Sequence, residues 1–148
     1  MRNDNLCLME GRDTLQECKW IDNVREDPVI SIVDDDRSMR DGTMRLVRSR
    51  GYTAFAFRSG QEFLESEQLA KTSCLITDLQ MPVMNGVQLQ ERLRARNHSI
   101  PIIFITAYPD DSIRAQVLAR GAICFLTKPF IGETLLSCID MALKRDLR

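Results

Sequence analysis

The stretch Cys74-Leu75-Ile76-Thr77-Asp78-Leu79-Gln80-Met81-Pro82-Val83-Met84-Asn85-Gly86 decides the fold of this chain. A short apolar run ends in one carboxylate, and a Met-Pro…Gly turn follows at once. That pattern reads as a β-strand delivering a single acid to the mouth of a loop. The arrangement recurs. Val29-Ile30-Ser31-Ile32-Val33 runs into Asp34, Asp35 and Asp36. The run from Ile102 ends at Thr106, and the run from Ile123 reaches Lys128-Pro129. Four strands thus each present a polar residue at the carboxyl end: acid, acid, hydroxyl, ammonium. Crowded carboxylates alone repel one another. With a divalent cation, a hydroxyl and a lysine they make a phosphoryl-transfer site.

Helical periodicity fills the gaps between the strands. Helix one is expected over about 37–50, with Met39, Thr43, Leu46 and Val47 inward and Gly51 as its stop. Strand two is expected over 53–57. Ser59 opens an S-x-x-E capping box with Glu62, ahead of a short helix carrying Phe63 and Leu64. Strand three is expected over 74–77 and helix three over 86–95, with Leu89 and Leu93 inward. Pro101 opens strand four, 102–105. Helix four spans about 110–120, buries Ile113, Val117 and Leu118, and ends at Gly121. Strand five is expected over 123–126. Helix five, 131–145, carries the stripe Ile131, Leu135, Cys138, Ile139 and Ala142. Strands one, three and four lack period-two alternation, as strands covered on both faces do. Five such units with right-handed crossovers give a doubly wound α/β sandwich with a parallel sheet. Its ligand crevice lies outside the carboxyl ends of the strands, where the four polar residues fall.

Size and charge narrow the function. A length of 148 residues implies one domain, and a 44% apolar composition supports a proper core. A net charge of −1 argues against direct nucleic-acid binding or attraction to an anionic membrane. No apolar run approaches the ~20 residues of a membrane span, and no secretory leader follows Arg2 and Asp4. The cysteines are Cys7, Cys18, Cys74, Cys124 and Cys138, an odd number without C-x-x-C spacing. The last three sit in apolar runs and read as buried thiols of a reducing cytoplasm. His98 lies in a polar connection and reads as solvent-exposed. Residues 1–27 have no clean period beyond a weak amphipathic turn at Leu15, Cys18, Trp20 and Ile21. They read as a flexible N-terminal extension ahead of a domain spanning 28–146.

The motifs V-D-D-D (33–36), D-L-Q-M-P-V-M-N-G (78–86), I-T-A (105–107) and K-P-F (128–130) occur in this order and at strand ends. In these the chain resembles the receiver domains of two-component response regulators, and is most similar to the FixJ-like branch that precedes LuxR-type DNA-binding domains. The resemblance implies a flavodoxin-like sheet of order 2-1-3-4-5. It implies that Asp78 is the phosphoacceptor for a phosphohistidine donor on a sensor kinase or phosphotransfer domain. It implies Mg²⁺ held by Asp35, Asp78 and the backbone carbonyl of Gln80, with Asp34 acting through a water. Asp36 is the spare acid and suits the N-cap of helix one, although three consecutive aspartates leave a register error of one residue open. Thr106 would donate to the phosphoryl group, and Lys128 would pair with Asp78 before transfer and with the phosphoryl group after it. A cis Lys128-Pro129 bond would aim that lysine into the crevice. Phe125 falls at an aromatic-switch position or is plain core. The helix four–strand five–helix five face would change partner preference and could form a homodimer.

The resemblance also implies a regulatory protein in a phosphorelay controlling transcription, and not an enzyme beyond its own transfer and dephosphorylation. The end of the chain at Arg148 reads as a stand-alone receiver or as part of a longer regulator. Tyr108-Pro109 and Gln80 depart from the common pattern and are expected to tune acyl-phosphate lifetime. Arg37, Arg40, Arg45, Arg48 and Arg50 make helix one basic, either as a solvated face or as a docking rim for an acidic partner. A second reading takes Asp34-Asp35-Asp36-Arg37-Ser38 as the D-x-D motif of a haloacid dehalogenase-like phosphatase, with Asp34 as nucleophile and Asp36 as acid–base. That reading leaves Asp78 and its turn without a role.

Overall fold

A computed structural model describes residues 27–146. The elements alternate throughout: β1 (Val29–Val33), α1 (Arg37–Ser49), β2 (Thr53–Phe57), α2 (Gly60–Leu64), a 3-10 turn (Leu69–Lys71), β3 (Cys74–Asp78), α3 (Gly86–Ala95), β4 (Ile102–Thr106), α4 (Asp111–Ala119), β5 (Cys124–Thr127) and α5 (Gly132–Asp146). All five strands pair in parallel in the order β2-β1-β3-β4-β5. This is the expected flavodoxin-like sheet. The expected extension over 1–27 lies, but for Asp27, outside the described residues.

The two faces of the sheet read directly from the pleat. Ile30, Ile32, Cys74, Ile76, Ile103 and Ile105 pack against α1 and α5 through Val47, Leu135, Leu136, Cys138, Ile139 and Ala142. The alternate residues Val33, Leu75, Ile102 and Phe104 pack against α2, α3 and α4 through Phe63, Leu64, Leu89, Leu93 and Val117. Both faces of β1, β3 and β4 are therefore dry, as their unbroken apolar runs require.

Four sequence expectations shift. Ile131 is not on the buried stripe of α5: the helix begins at Gly132, and Ile131 is 72% exposed. Its carbonyl instead accepts the N–H groups of Thr134 and Leu135, so it serves the helix as a cap-side acceptor. β5 starts at Cys124, because ladder pairing begins at Ile103 opposite Cys124. Cys124 is half-buried rather than buried. Desolvation, and then a hydrogen bond with Cys138, push its thiol up to about 12, so it stays protonated and unreactive at neutral pH. His98 is half-buried, and its backbone N–H closes the end of α3 onto the Leu93 carbonyl at 2.9 Å.

Caps set where the helices begin. Asp36 accepts from the Met39 N–H at 3.1 Å, worth ~1 kcal/mol for a good N-cap. Ser59 caps α2 and Asp110 caps α4. Asn85 and Gln88 form a reciprocal capping box at α3. Between β3 and α3 the chain turns sharply at Val83, which has φ of +68° and is fully exposed. The Met84 N–H reaches the Pro82 carbonyl at 2.7 Å across it. A β-branched residue pays ~1–2 kcal/mol for that conformation, and the turn sends Met84 back into the core under Gly60.

Gly86 then lets α3 start directly beneath the end of β3. A Cβ there would meet the Asp78 carbonyl oxygen at 2.7 Å and the Phe104 ring at 3.0 Å. Gly86→Ala is expected to lower stability by about 1–3 kcal/mol, the usual cost of forced overpacking. Urea unfolding of the two proteins checks it; an unchanged midpoint would contradict the close approach.

Candidate functional site

Register alone brings the candidate residues together. Val33 lies opposite Thr77, so Asp34 and Asp78 leave neighbouring strands at one level. Asp78 lies opposite Ile105, one residue before Thr106. Thr106 lies opposite Thr127, one residue before Lys128. Asp34, Asp78, Thr106 and Lys128 therefore all emerge at the carboxyl edge of β1, β3, β4 and β5. The sheet imposes this before any side chain is placed.

Asp78 is buried, with its side chain 8% exposed. Its Oδ2 faces the Lys128 ammonium at 3.2 Å, and its Oδ1 accepts the Gln80 N–H at 3.3 Å. Lys128 also stands 3.6 Å from Asp34 Oδ2. The Lys128-Pro129 bond is cis, as expected. Asp34 is buried and accepts the Asp36 N–H at 2.9 Å. Its backbone carbonyl accepts from the Arg40 guanidinium at 2.9 Å. Asp35 is exposed. Carboxylate oxygens of Asp34, Asp35 and Asp78 lie within 4.8 Å of one another.

Three acids against one ammonium leave a surplus of negative charge. Burial holds the Asp34 carboxyl above the usual range; Asp78 and Asp35 add to this, while the Asp36 N–H and Lys128 oppose it. A hard cation fits such a set. All the donors are oxygen, three carboxylates converge, and one of them remains open to water. Mg²⁺ needs few protein ligands because it keeps several waters. Asp34, Asp35 and Asp78 are the side chains that would hold it, and the nearby Gln80 carbonyl is a further candidate donor.

Thr106 is fully buried. Its hydroxyl donates to Gln80 Oε1 at 2.5 Å and accepts the Tyr108 N–H at 3.0 Å. The sequence gives Gln80 a carbonyl role at the cation and an influence on acyl-phosphate lifetime, but not this side-chain contact with Thr106. Residue spacing hinted at it: Gln80 follows the acid by two, and β4 is the next strand over. Tyr108 is 72% exposed, so its ring points away from the core rather than filling the site. Phe125 is half-buried against the α2–α3–α4 side of the sheet.

The basic face of α1 is largely used within the fold. Arg40 holds the Asp34 carbonyl, and Arg48 donates to the Ala54 carbonyl at 2.9 Å. Arg50 pairs with Glu133 at 3.2 Å and Asp140 at 3.3 Å on α5. Tyr52 also donates to Asp140, and burial followed by that bond pushes its hydroxyl up to about 12. These arginines brace α1 against β1, β2 and α5. Arg37 pairs with its neighbour Asp41 on the exposed surface.

A buried strand-end carboxylate with two further acids and a lysine beside it marks the crevice of an α/β domain of the doubly wound type. The chain belongs to the response regulator receiver family: residues 30–140 match the response regulator receiver domain. It is 39% identical over 118 residues to nodulation protein W of Bradyrhizobium diazoefficiens, covering 80% of this chain and 52% of that protein. It is 40% identical over 116 residues to the response regulator protein TodT of Pseudomonas putida, covering 78% and 51%. Among solved structures it is similar to the response regulator StyR, with a TM-score of 0.77, 39% identity and coverage of 82% and 62%. FixJ-N gives a TM-score of 0.74 at 29% identity, covering 81% and 96%. The chain spans about half the length of the curated relatives it matches. The family assignment leaves the phosphatase reading unsupported, and Asp36 is engaged as an exposed helix cap rather than aimed at the site. No helix of the described residues is long and apolar enough to cross a membrane.

Asp34 generates a test in the metal-free protein. Its raised pKa means that the folded state binds more protons than the unfolded state, so stability from this group falls as pH rises through that window. Asp34→Asn is expected to raise the melting temperature at pH 7 without Mg²⁺. The gain should vanish as pH falls below the ordinary carboxylate range. Thermal melts in chelator at several pH values measure it; a lower melting temperature at pH 7 would contradict the charge surplus.

Proposed function

We propose that this chain is the receiver part of a two-component response regulator and that Asp78 accepts the phosphoryl group. The observation that carries this is one buried carboxylate 3.2 Å from Lys128 and within 4.8 Å of two more acids. The donor is a phosphohistidine on a sensor kinase or phosphotransfer domain. A carboxylate oxygen of Asp78 forms the new bond to phosphorus, the phosphorus–nitrogen bond breaks, and the imidazole leaves with its electron pair and takes up a proton. A carboxylate is a weak nucleophile, so the step depends on a loose in-line transfer and on neutralised charge. A bound Mg²⁺ would supply most of that neutralisation at the transferring oxygens. Asp34 and Asp35 would hold the cation beside Asp78. Lys128 offsets the charge of Asp78 first and that of the phosphoryl group afterwards.

Thr106 is the hydroxyl that answers the new charge. The loop 107–110 is exposed and only four residues long, so movement at Thr106 reaches α4 directly. The α4–β5–α5 face, with half-buried Phe125 beneath it, then changes its partner preference. A few kcal/mol of bias suffices for such a shift. A second copy of the chain is the partner we assign to that face. The role is regulatory, with chemistry limited to the chain's own phosphorylation and dephosphorylation. Relatives named as transcriptional regulators, including FixJ at 31% identity, support an output in transcription through regions beyond this domain. Free thiols at Cys124 and Cys138 support a reducing, cytoplasmic setting. Gln80 and the Tyr108 backbone N–H, both bonded to Thr106 Oγ1, are the groups to which we assign an influence on acyl-phosphate lifetime.

Incubation with acetyl phosphate and Mg²⁺, followed by intact mass, tests the assignment. The wild type is expected to gain one phosphoryl group and Asp78→Asn none. Equal uptake by Asp78→Asn, or a label mapped to Asp34, would overturn it.

A further inference from the structure

Thr106 has a single hydroxyl proton, and its use is visible. Oγ1 lies 2.5 Å from Gln80 Oε1 and also accepts the Tyr108 N–H at 3.0 Å. An amide oxygen can only accept, so the hydroxyl donates to Gln80. Thr106 is 0% exposed, which leaves no access for bulk water as an alternative partner. Gln80 meanwhile donates its backbone N–H to Asp78 Oδ1 at 3.3 Å. One residue thus touches the strand-end acid with its main chain and the strand-end hydroxyl with its side chain.

We propose that Gln80 is a positioning residue whose side chain latches Thr106 in the unphosphorylated chain, so that breaking this hydrogen bond is a required step of switching. This rests on Asp78 being the phosphoacceptor and adds the contact that sets the resting state. One proton serves one strong acceptor. A phosphoryl oxygen on Asp78 must therefore draw it away from Gln80 Oε1, and it succeeds because an anionic acceptor makes the stronger, charge-assisted bond. The two partners differ in what they lose. Gln80 is exposed and its freed amide passes to water. Thr106 is buried and releases one acceptor only when another is in place. The exchange is therefore concerted rather than gradual. The Tyr108 N–H is bonded to the same oxygen, so the backbone of the loop before α4 follows the hydroxyl.

A net neutral hydrogen bond biases an equilibrium by roughly 2- to 12-fold. Beryllofluoride with Mg²⁺, a stable stand-in for the phosphoryl group, provides the probe. Binding is measured by NMR titration for the wild type, Gln80→Met, Thr106→Val and the double variant. Methionine keeps the length of glutamine and removes the acceptor. Gln80→Met is expected to tighten beryllofluoride binding about 3- to 10-fold and to have no effect in the Thr106→Val background. Without beryllofluoride, it should move the Tyr108 amide resonance toward its saturated position. An equal change in both backgrounds, or weaker binding by Gln80→Met, overturns the latch while leaving Asp78 as acceptor. A wild type that takes up no beryllofluoride overturns the acceptor reading, and the latch with it.

Discussion

The structure depends on holding like charges together. Asp34, Asp35 and Asp78 converge to within 4.8 Å, and Lys128 is the ammonium set against them. In water such a group would spread apart. Here it cannot, because each acid is fixed by backbone that the sheet has already placed. Asp78 is the last residue of a strand with no exposed residue, and Asp34 is the first residue beyond another. Hydrogen bonds from the Asp36 and Gln80 N–H groups hold the two carboxylates in orientation. Burial first, and then the neighbouring acids, hold the Asp34 carboxyl above its ordinary value. The folded scaffold thus holds together unfavourable charge that a bound cation would relieve.

That scaffold is ordinary core packing used for position. Two apolar layers cover the sheet, one under α1 and α5, the other under α2, α3 and α4. Their residues fix strand register, and register fixes which strand ends meet. Gly86 allows α3 to begin against the Asp78 carbonyl, and the strained turn at Val83 returns Met84 to the core. Strain in this loop sits next to the candidate acceptor, where a loop tends to carry function. On the other side, Arg40 ties α1 to the Asp34 carbonyl, and Arg50 with Tyr52 ties the end of α1 to α5. The acidic cluster is therefore braced from both faces.

Much of this was legible in the sequence because chain order and periodicity carry it. The continuous apolar runs of β1, β3 and β4 announced a parallel sheet, and each ended on its polar residue. The capping residues Asp36 and Ser59 marked helix starts by local chemistry. What failed were boundaries and long-range pairings. Ile131 shares the helical spacing of Leu135 and Ile139, but periodicity cannot tell the residue before the first turn from one within it. Cys124 looked like core, yet β5 is the edge strand and its four residues are not fully covered. The Gln80–Thr106 bond spans 26 positions, and only the β3–β4 register brings it about. The basic face of α1 read as either solvated or a docking rim, and the partners of Arg48 and Arg50 lie on β2 and α5, out of reach of any local reading.

The central claim is that the carboxylates carry more negative charge than Lys128 offsets and so seek a cation. A calorimetric Mg²⁺ titration of the wild type against Lys128→Met tests it most directly. Removing the ammonium deepens the negative field around the same three acids, so the account expects Lys128→Met to bind Mg²⁺ more tightly. Unchanged or weaker binding would mean that the negative field of the clustered acids does not set the affinity for the cation, and would contradict the account.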